Sequence, residues 1–197
     1  MSDSFSQAGQ DIFVSYLVNT KDKKYFVDIG CWVPDTINNT LKLENEGWDG
    51  VSLDITDLTK EWEKRNTKFV CSDALSIDYK KIFDDSMFPD IIDYLTIDLE
   101  GNDTRIQALK RVFSSGREFK VITIEHDSYR GYELSEKTPQ REFLNNLGYV
   151  LVGDNVHLSG NPFEDWWVNP KYILKEKYES LISRNVEYTE IIKKCIS

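Results

Sequence analysis

The sequence predicts an α/β fold, a doubly wound and mainly parallel sheet of seven strands with helices on both faces and a helix at the C-terminus. Three observations predict it. Short apolar, β-prone runs alternate with amphipathic stretches along most of the chain. The run at 25–28 is followed by Gly30 and then by side chains suited to begin a helix. Five consecutive runs are each followed by acidic residues.

The order of elements follows from these patterns. The apolar runs predict strands at 25–28, 50–54, 68–71, 91–98, 120–125 and 149–152, with a possible seventh strand at 166–168. The periodic stretches predict helices at 11–17, from 41 through 43, at 56–65, 104–112 and 139–147, and a C-terminal helix across 173–182. Late strands of such sheets often pair antiparallel at an edge, and we expect the sixth and seventh strands there.

We expect one domain over residues 1–197. A chain of 197 residues can bury a developed core, and no repeat or linker rich in Pro, Gly or Ser divides it. Residues 1–24 then form an N-terminal helical segment, residues 25–155 a ligand-binding core, and residues 156–197 an aromatic loop and helix.

Charge narrows the classes of partner. Asp and Glu number 34 and Lys and Arg 24, which gives a net charge of −10. An acidic surface disfavours nucleic acid and anionic membranes as partners, because both are bound through clustered cations. The chain has no apolar run typical of a membrane span and no signal-peptide pattern, and its three cysteines have no zinc or disulfide spacing. We therefore expect a soluble, cytoplasmic protein without membrane insertion.

The turn after the first strand is the first candidate binding element. Asp28 ends that strand, and Gly30 lets the backbone turn sharply and approach a ligand closely. The next strand ends in Asp54, at a distance along the chain where an acid can accept hydrogen bonds from ribose hydroxyls. A strand–turn–helix unit without a ligand has the same pattern, and the usual dinucleotide fingerprint has three glycines rather than one.

The strand ends together form an acidic rim, because the carboxyl ends of parallel strands meet at one edge. Its members are Asp28, Asp54, Asp73, Asp98 with Glu100, and Glu125 with His126. Any one of the acids could instead cap a helix. A rim of this charge repels phosphate-rich ligands and favours a ligand with free hydroxyls and a positive centre.

Seven segments carry a resemblance to a known family. They are Ser-Gln-Ala-Gly-Gln-Asp-Ile-Phe-Val (6–14), Phe-Val-Asp-Ile-Gly (26–30), Asn-Asn-Thr-Leu-Lys-Leu-Glu (38–44), Gly-Trp-Asp-Gly-Val-Ser-Leu-Asp (47–54), Asp-Tyr-Leu-Thr-Ile-Asp-Leu-Glu-Gly (93–101), Ile-Glu-His (124–126) and Leu-Gly-Tyr (147–149). In this order they resemble S-adenosylmethionine-dependent methyltransferases of the FkbM type, which have the class I Rossmann-like fold. The resemblance covers roughly residues 6–155.

The resemblance implies a site for S-adenosylmethionine. Gly30 would face the methionine part, Asp54 the ribose, Ile55 and Asp73 the adenine, and Asp98 the transferable methyl. The full set of implied cofactor-binding residues is Asp28, Gly30, Cys31, Trp32, Asn39, Asp54, Ile55, Asp73, Ala74 and Asp98. The chain departs from the family in two places: a small residue and a glycine usually occupy the turn that is bulky here at 31–34, and Glu is commoner than Asp at position 54.

The implied reaction is O-methylation, with a sugar hydroxyl of a glycan or another small hydroxylated compound as acceptor. A hydroxyl acceptor needs a base, and His126 is the first candidate because its ordinary pKa is near neutrality. Asp98 and Glu125 are alternative catalytic residues. Asp98, Glu100 and Glu125 could instead hold a divalent metal ion.

The aromatic loop supplies a possible acceptor wall. Glu100, Trp166 and Trp167 are the candidate substrate-binding residues, although both tryptophans could equally belong to the core. Three further readings stay open: a catalytically inactive binding protein with the same fold, a methyltransferase for a non-sugar compound, and an NAD-dependent enzyme. The bulky turn at 31–34 favours the first, and the single turn glycine and the acidic rim weigh against the last.

Overall fold

A computed structural model describes residues 4–197. It contains one mixed sheet of eight strands with helices packed on its two faces. The elements are α1 (Gln10–Leu17), β1 (Tyr25–Ile29), α2 (Leu41–Asn45), β2 (Asp49–Asp54), α3 (Thr59–Trp62), β3 (Lys68–Cys71), α4 (Tyr79–Asp85), β4 (Ile91–Ile97), α5 (Thr104–Phe113), β5 (Glu118–Glu125), α6 (Thr138–Asn146), β6 (Val150–Leu158), β7 (Asn161–Val168), α7 (Lys175–Tyr178), β8 (Ser183–Glu187) and α8 (Tyr188–Ile196). No helix in the described part of the chain is both long and apolar enough to cross a bilayer.

The strand order is β3-β2-β1-β4-β5-β7-β6-β8. β3, β2, β1, β4 and β5 are parallel neighbours, whereas β7 runs antiparallel to both β5 and β6. The chain reverses its direction of winding between β1 and β4, and in open sheets ligands bind at such a switch point. The predicted doubly wound, mainly parallel sheet is therefore confirmed. The antiparallel edge is wrong: the antiparallel strand β7 lies inside the sheet, and the edge strand β8 is parallel to its neighbour β6.

The C-terminal third differs from the prediction. The sheet has eight strands rather than seven, because residues 183–187 pair with β6 in parallel. The helix predicted across 173–182 is wrong: α7 is one short turn there, and the C-terminal helix begins at Tyr188. β6 and β7 form a long hairpin, and the boundary placed between residues 155 and 156 falls inside β6. These pairings are tertiary contacts, which local periodicity does not encode.

The predicted second crossover helix is also shorter than expected. Residues 56–65 contain only α3, a helix of four residues. Asp57 accepts hydrogen bonds from the backbone and hydroxyl of Thr59, and this local turn takes up the first part of the segment. After α3 the chain turns, and Arg65 N–H donates to the Trp62 carbonyl at 3.0 Å.

The two faces of the sheet bury separate cores. Residues such as Val27 and Leu95 face α4, α5 and α6, whereas Phe26 and Tyr94 face α1 and α8. The alternation follows the period-two geometry of strands, which sends successive side chains to opposite faces. The two adjacent tryptophans of β7 follow the same rule, and one of them lies in each core.

Two carboxyl groups are buried on the face that carries α1. Glu164 accepts hydrogen bonds from Gln10 Nε2 at 3.0 Å and from Trp166 Nε1, and burial raises its pKa to about 8. Asp28 accepts from Thr40 Oγ1 at 2.9 Å, and burial raises its pKa to about 7. Both groups therefore bind a proton more tightly in the folded protein than in the unfolded chain.

This proton affinity predicts a pH dependence of stability. Because the folded pKa of Glu164 lies above its unfolded value, its protonation stabilises the fold at low pH, and this contribution is lost as the pH rises through about 8. We expect Glu164→Gln, which keeps an oxygen acceptor, to reduce the loss of unfolding free energy between pH 5 and pH 9. The reduction should be on the order of a few kcal/mol, at about 1.4 kcal/mol per pKa unit.

Urea denaturation at both pH values measures the effect. Glu142→Gln is the matched control, because Glu142 is exposed on α6 and should leave the pH dependence unchanged. Equal pH dependence in wild type and Glu164→Gln would contradict the assignment.

Candidate functional site

Two cavities open side by side at the carboxyl edge of the parallel strands. We call the larger, of about 510 Å³, the β1 cleft, and the smaller, of about 330 Å³, the β4–β5 pocket. The β1 cleft is lined by Gln7, Asp28, Gly30, Cys31, Trp32, Val33, Thr36, Ile37, Asn39, Asp54, Ile55, Thr56, Asp98, Leu99 and Glu100. The β4–β5 pocket is lined by Gln7, Asp98, Glu100, Glu125, Asp127, Tyr129, Arg130, Leu158, Ser159, Asn161 and Phe163.

Gly30 is required where β1 meets the end of β4. Its φ is +84°, and a Cβ at this position would lie 1.7 Å from the carbonyl oxygen of Asp98. Its N–H donates to the Leu53 carbonyl at 2.8 Å, which draws the turn against β2 as well. The turn therefore brings the ends of β1, β2 and β4 together at the floor of the β1 cleft.

Asp54 holds the turn through its carboxylate. It accepts from Trp32 N–H at 3.0 Å and from Thr56 N–H at 2.8 Å. Trp32 has φ +47°, and its carbonyl accepts from Trp62 Nε1 at 2.9 Å. The Trp32 indole is 58% exposed and Ile55 is 72% exposed, so both present apolar surface to the β1 cleft. Each Asp54 oxygen keeps a second lone pair that can accept from a ligand hydroxyl.

Asn39 offers the β1 cleft a free acceptor. Its Nδ2 donates to Thr96 Oγ1 at 3.1 Å, while its Oδ1 is buried and has no partner within residues 4–197. An unpaired buried acceptor is costly, and a ligand ammonium would satisfy it. Cys31 beside the cleft is buried and burial raises its thiol pKa, so it stays protonated and contributes shape rather than a nucleophile.

Asp73 and Ala74 lie outside this cleft. Asp73 is exposed, and its Oδ1 accepts from Leu75 N–H at 2.8 Å in a local turn. Ala74 is buried in the core on the α4 side. Neither lines the β1 cleft, and their contact with an adenine stays a prediction.

A carboxyl pair occupies the β4–β5 pocket. Asp98 and Glu125 both line it; desolvation raises the pKa of both groups, and the neighbouring Asp98 raises that of Glu125 further. Solvent still reaches Asp98, whereas Glu125 is largely covered. The buried Arg105 donates from Nη2 to Glu125 at 3.2 Å and to Asp127 at 2.8 Å. Both carboxyl groups therefore bind protons more tightly than free carboxylates do.

The expected metal ligands do not form a cation site. Glu125 accepts from Arg105 Nη2 at 3.2 Å, and Glu100 pairs with Arg130 Nη1 at 3.3 Å. Among residues 4–197, no three His, Cys, Asp or Glu side chains are arranged to hold a metal ion. Two guanidinium groups thus already pair with Glu125 and Glu100.

His126 does not reach either cavity. Its side chain is fully buried, Nδ1 accepts from Ser128 N–H at 3.2 Å, and Nε2 lies 3.5 Å from Asp165 Oδ1. Although burial opposes ionisation, His126 and Arg141 hold the pKa of Asp165 at about 2. This geometry does not support His126 as the general base, and it gives His126 the task of fixing the turn that carries Asp127.

The expected tryptophan wall is corrected as well. Trp166 and Trp167 are fully buried in β7, and neither lines the β1 cleft or the β4–β5 pocket. Trp166 packs on Phe13 with ring centroids 4.6 Å apart, and Trp167 lies in the opposite core. Glu100, the third substrate candidate, is exposed and lines both cavities.

Sequence reasoning missed several residues of the pocket. Gln7 belongs to the segment 6–14 that matched the family, and this match was its only signal. Asp127 and Arg130 follow the end of β5, where a polar loop was expected without individual roles. Arg105 gave no signal, since a buried arginine in a helix is recognisable only from its tertiary partners.

Comparisons place the fold among known structures. A putative O-methyltransferase from Klebsiella pneumoniae is similar at a TM-score of 0.53 and 16% identity, over 85% of this chain and 82% of that chain. SMU.1697c, a putative methyltransferase from Streptococcus mutans in complex with SAH, is similar at 0.51 and 14%, over 85% and 99%. CalS11, a TDP-rhamnose 3'-O-methyltransferase, is similar at 0.52 and 9%, over 81% and 76%.

The chain has the class I methyltransferase fold. An rRNA methylase from Streptococcus thermophilus is also among the similar structures, so the fold by itself does not select the acceptor. Neither protein-family models nor curated protein sequences match the chain. The FkbM resemblance and the assignment of site residues therefore remain predictions.

The close approach of Gly30 to the Asp98 carbonyl predicts that a side chain at position 30 destabilises the protein. Gly30→Ala should destabilise the protein by more than the about 1–2 kcal/mol of a left-handed alanine, because its Cβ would also push the Asp98 carbonyl out of place. Gly116→Ala is the matched control: Gly116 has φ +82°, and a Cβ there meets nothing within 4 Å. Urea denaturation of both variants measures the difference, and equal losses would show that the contact with Asp98 is unimportant.

Proposed function

We propose that the protein is an S-adenosylmethionine-dependent methyltransferase that transfers a methyl group to a hydroxyl of a small, sugar-like acceptor. The observation that carries the proposal is the position of Asp98, which lines both the β1 cleft and the β4–β5 pocket. A carboxylate at the junction of two cavities can face the methyl donor on one side and the acceptor on the other.

The β1 cleft fits the methyl donor. Gly30 allows close backbone approach, Asn39 Oδ1 awaits a hydrogen-bond donor such as an ammonium, and Asp54 has lone pairs left for a ribose diol. The exposed Ile55 and Trp32 provide apolar surface for a purine. Bound S-adenosylmethionine would supply an electrophilic methyl group on a cationic sulfur, and the acidic lining favours that charge.

The β4–β5 pocket suits a hydroxylated acceptor. Its lining is mainly polar, with Ser159, Asn161 and Tyr129 among its members. Side chains of this kind orient hydroxyl groups through hydrogen bonds. The sugar O-methyltransferase among the similar structures and the FkbM resemblance support a sugar hydroxyl over other acceptors. The net charge of −10 weighs against RNA.

Asp98 is the candidate general base. Desolvation and the nearby carboxyl groups of Asp127 and Glu100 raise the pKa of Asp98, which makes its ionised form a stronger proton acceptor. The acceptor hydroxyl would give its proton to Asp98 as the oxygen attacks the methyl. Glu125 lines the same pocket, and Arg105 Nη2 donates to it at 3.2 Å. The rate should therefore rise with pH as Asp98 ionises.

Donor affinity gives a direct test of the β1 cleft. We expect micromolar binding of S-adenosylhomocysteine by calorimetry, weakened in Asp54→Ala by about 1–3 kcal/mol because the ligand hydroxyls lose their acceptor. Asp49→Ala is the matched control, since Asp49 begins the same strand at the opposite edge of the sheet. A folded Asp54→Ala protein with wild-type affinity would reject the ribose assignment.

Transfer of a labelled methyl group tests the reaction. We expect label on oxygen when the protein is incubated with labelled donor and a panel of glycans, glycosides, small alcohols and RNA. Asp98→Asn should lower turnover about 10²–10⁴-fold, the range for loss of a general base. Asp90→Asn, at the exposed start of β4, is the control.

The outcomes separate the alternatives. Label on nitrogen, carbon or RNA alone would reject sugar O-methylation. Binding of the methyl donor without transfer to any acceptor would favour a catalytically inactive binding protein. Normal turnover in Asp98→Asn would exclude Asp98 as the base.

A further inference from the structure

The N-terminal segment 4–8 lies across the mouth of the site as a fixed strap. Asp11 accepts from Ser4 Oγ at 2.7 Å and from Phe5 N–H at 2.8 Å, which ties the strap to the start of α1. The Phe5 carbonyl accepts from Asn38 N–H at 2.8 Å, which ties it to the loop that borders the β1 cleft. The strap is thus held by the helix on one side and by the binding loop on the other.

Gln7 is the residue that this strap presents to the site. It is exposed and lines both cavities, and within residues 4–197 its amide makes no hydrogen bond. Its neighbour Ala8 is fixed by an N–H donated to Gln10 Oε1 at 2.8 Å, and Gln10 Nε2 bonds Glu164. The backbone is therefore pre-organised while the amide stays available for a ligand.

The negative charge of the β1 cleft indicates which group of the methyl donor its acidic residues cannot bind. Its described lining contains the acidic residues Asp28, Asp54, Asp98 and Glu100 and no lysine, arginine or histidine. These acids complement an ammonium and a sulfonium, but they repel the α-carboxylate that the same methyl donor carries. A carboxylate in this cleft needs neutral hydrogen-bond donors.

Gln7 lies at the correct end for that task. Asp54 and Ile55 mark the end of the β1 cleft assigned to ribose and adenine, whereas Gln7 shares its position with Asp98 and Glu100 where the two cavities meet. The other amide in the lining, Asn39, already donates through Nδ2 to Thr96. We infer that the Gln7 amide binds the α-carboxylate of the methyl donor, a role that rests on the proposed function of the β1 cleft.

At the methionine end, two amide side chains then bind the two charged groups of the methyl donor. Asn39 Oδ1 accepts from the ammonium group, and Gln7 Nε2 donates to the carboxylate. Both groups are neutral, so recognition of the zwitterion adds no charge beside the base. The strap then determines selectivity between ligands that carry the amino-acid group and ligands that lack it.

The test compares two ligands that differ in this group. S-adenosylhomocysteine carries the carboxylate, and 5′-methylthioadenosine lacks the whole amino-acid part while keeping the ribose and adenine. We expect Gln7→Ala to weaken binding of S-adenosylhomocysteine about tenfold, which corresponds to about 1.4 kcal/mol. Gln7→Glu adds a like charge and should weaken it about a hundredfold. Both variants should bind 5′-methylthioadenosine within about twofold of wild type.

Gln107→Glu is the matched control, because Gln107 is exposed on α5 and the substitution makes the same change in net charge. Calorimetry measures all affinities, and a thermal unfolding curve of each variant confirms that it is folded.

Equal losses of affinity for both ligands, or no loss for either, would overturn the role of Gln7. A change confined to the KM of the acceptor would also overturn it and place Gln7 in the β4–β5 pocket. Absence of binding of either ligand to the wild-type protein would instead overturn the proposed function itself.

Discussion

The approach of Gly30 to the Asp98 carbonyl is the constraint on which the site depends. At this contact the end of β1 touches the end of β4 so closely that no side chain fits between them. The strands are neighbours because the winding of the sheet reverses between them, and a reversal leaves the loops of the two halves on opposite sides. The β1 cleft opens on one side of the contact and the β4–β5 pocket on the other. Asp98 belongs to both because it follows β4 at that point.

The raised pKa values of the buried carboxyl groups are the second feature that organises the site. The folded chain buries Asp28 and Glu164 beneath the rim and raises the pKa of each toward or above neutrality. Burial and the neighbouring Asp98 likewise raise the pKa of Glu125, and a hydrogen bond from Arg105 orients its carboxyl group. Neutral carboxyl groups allow a dense acidic rim to form without the repulsion that several full charges would bring.

His126 shows how a residue of catalytic type can have a structural task. It lies directly after a strand end, and sequence alone makes it the natural base. In the fold it turns away from the cavities toward Asp165, and Asp165 is held by Arg141 from α6 at 2.7 Å. This network fixes the turn after β5 and therefore the position of Asp127. The Asp127 carboxylate forms ion pairs with Arg105 and Arg130. His126 therefore supports the β4–β5 pocket without lining it.

The sequence by itself determined the parallel half of the molecule and the floor of the site. Strand periodicity, the turn glycine and acids at successive strand ends specify the fold class and place Asp28, Gly30, Asp54 and Asp98 at one edge, because these signals are local and the edge follows from parallel topology. Only the tertiary structure decided the rest. The eighth strand, the burial of Trp166 and Trp167, the orientation of His126 and the partners of Arg105 depend on contacts between distant segments. A pattern along one segment carries no information on which other segment will cover it.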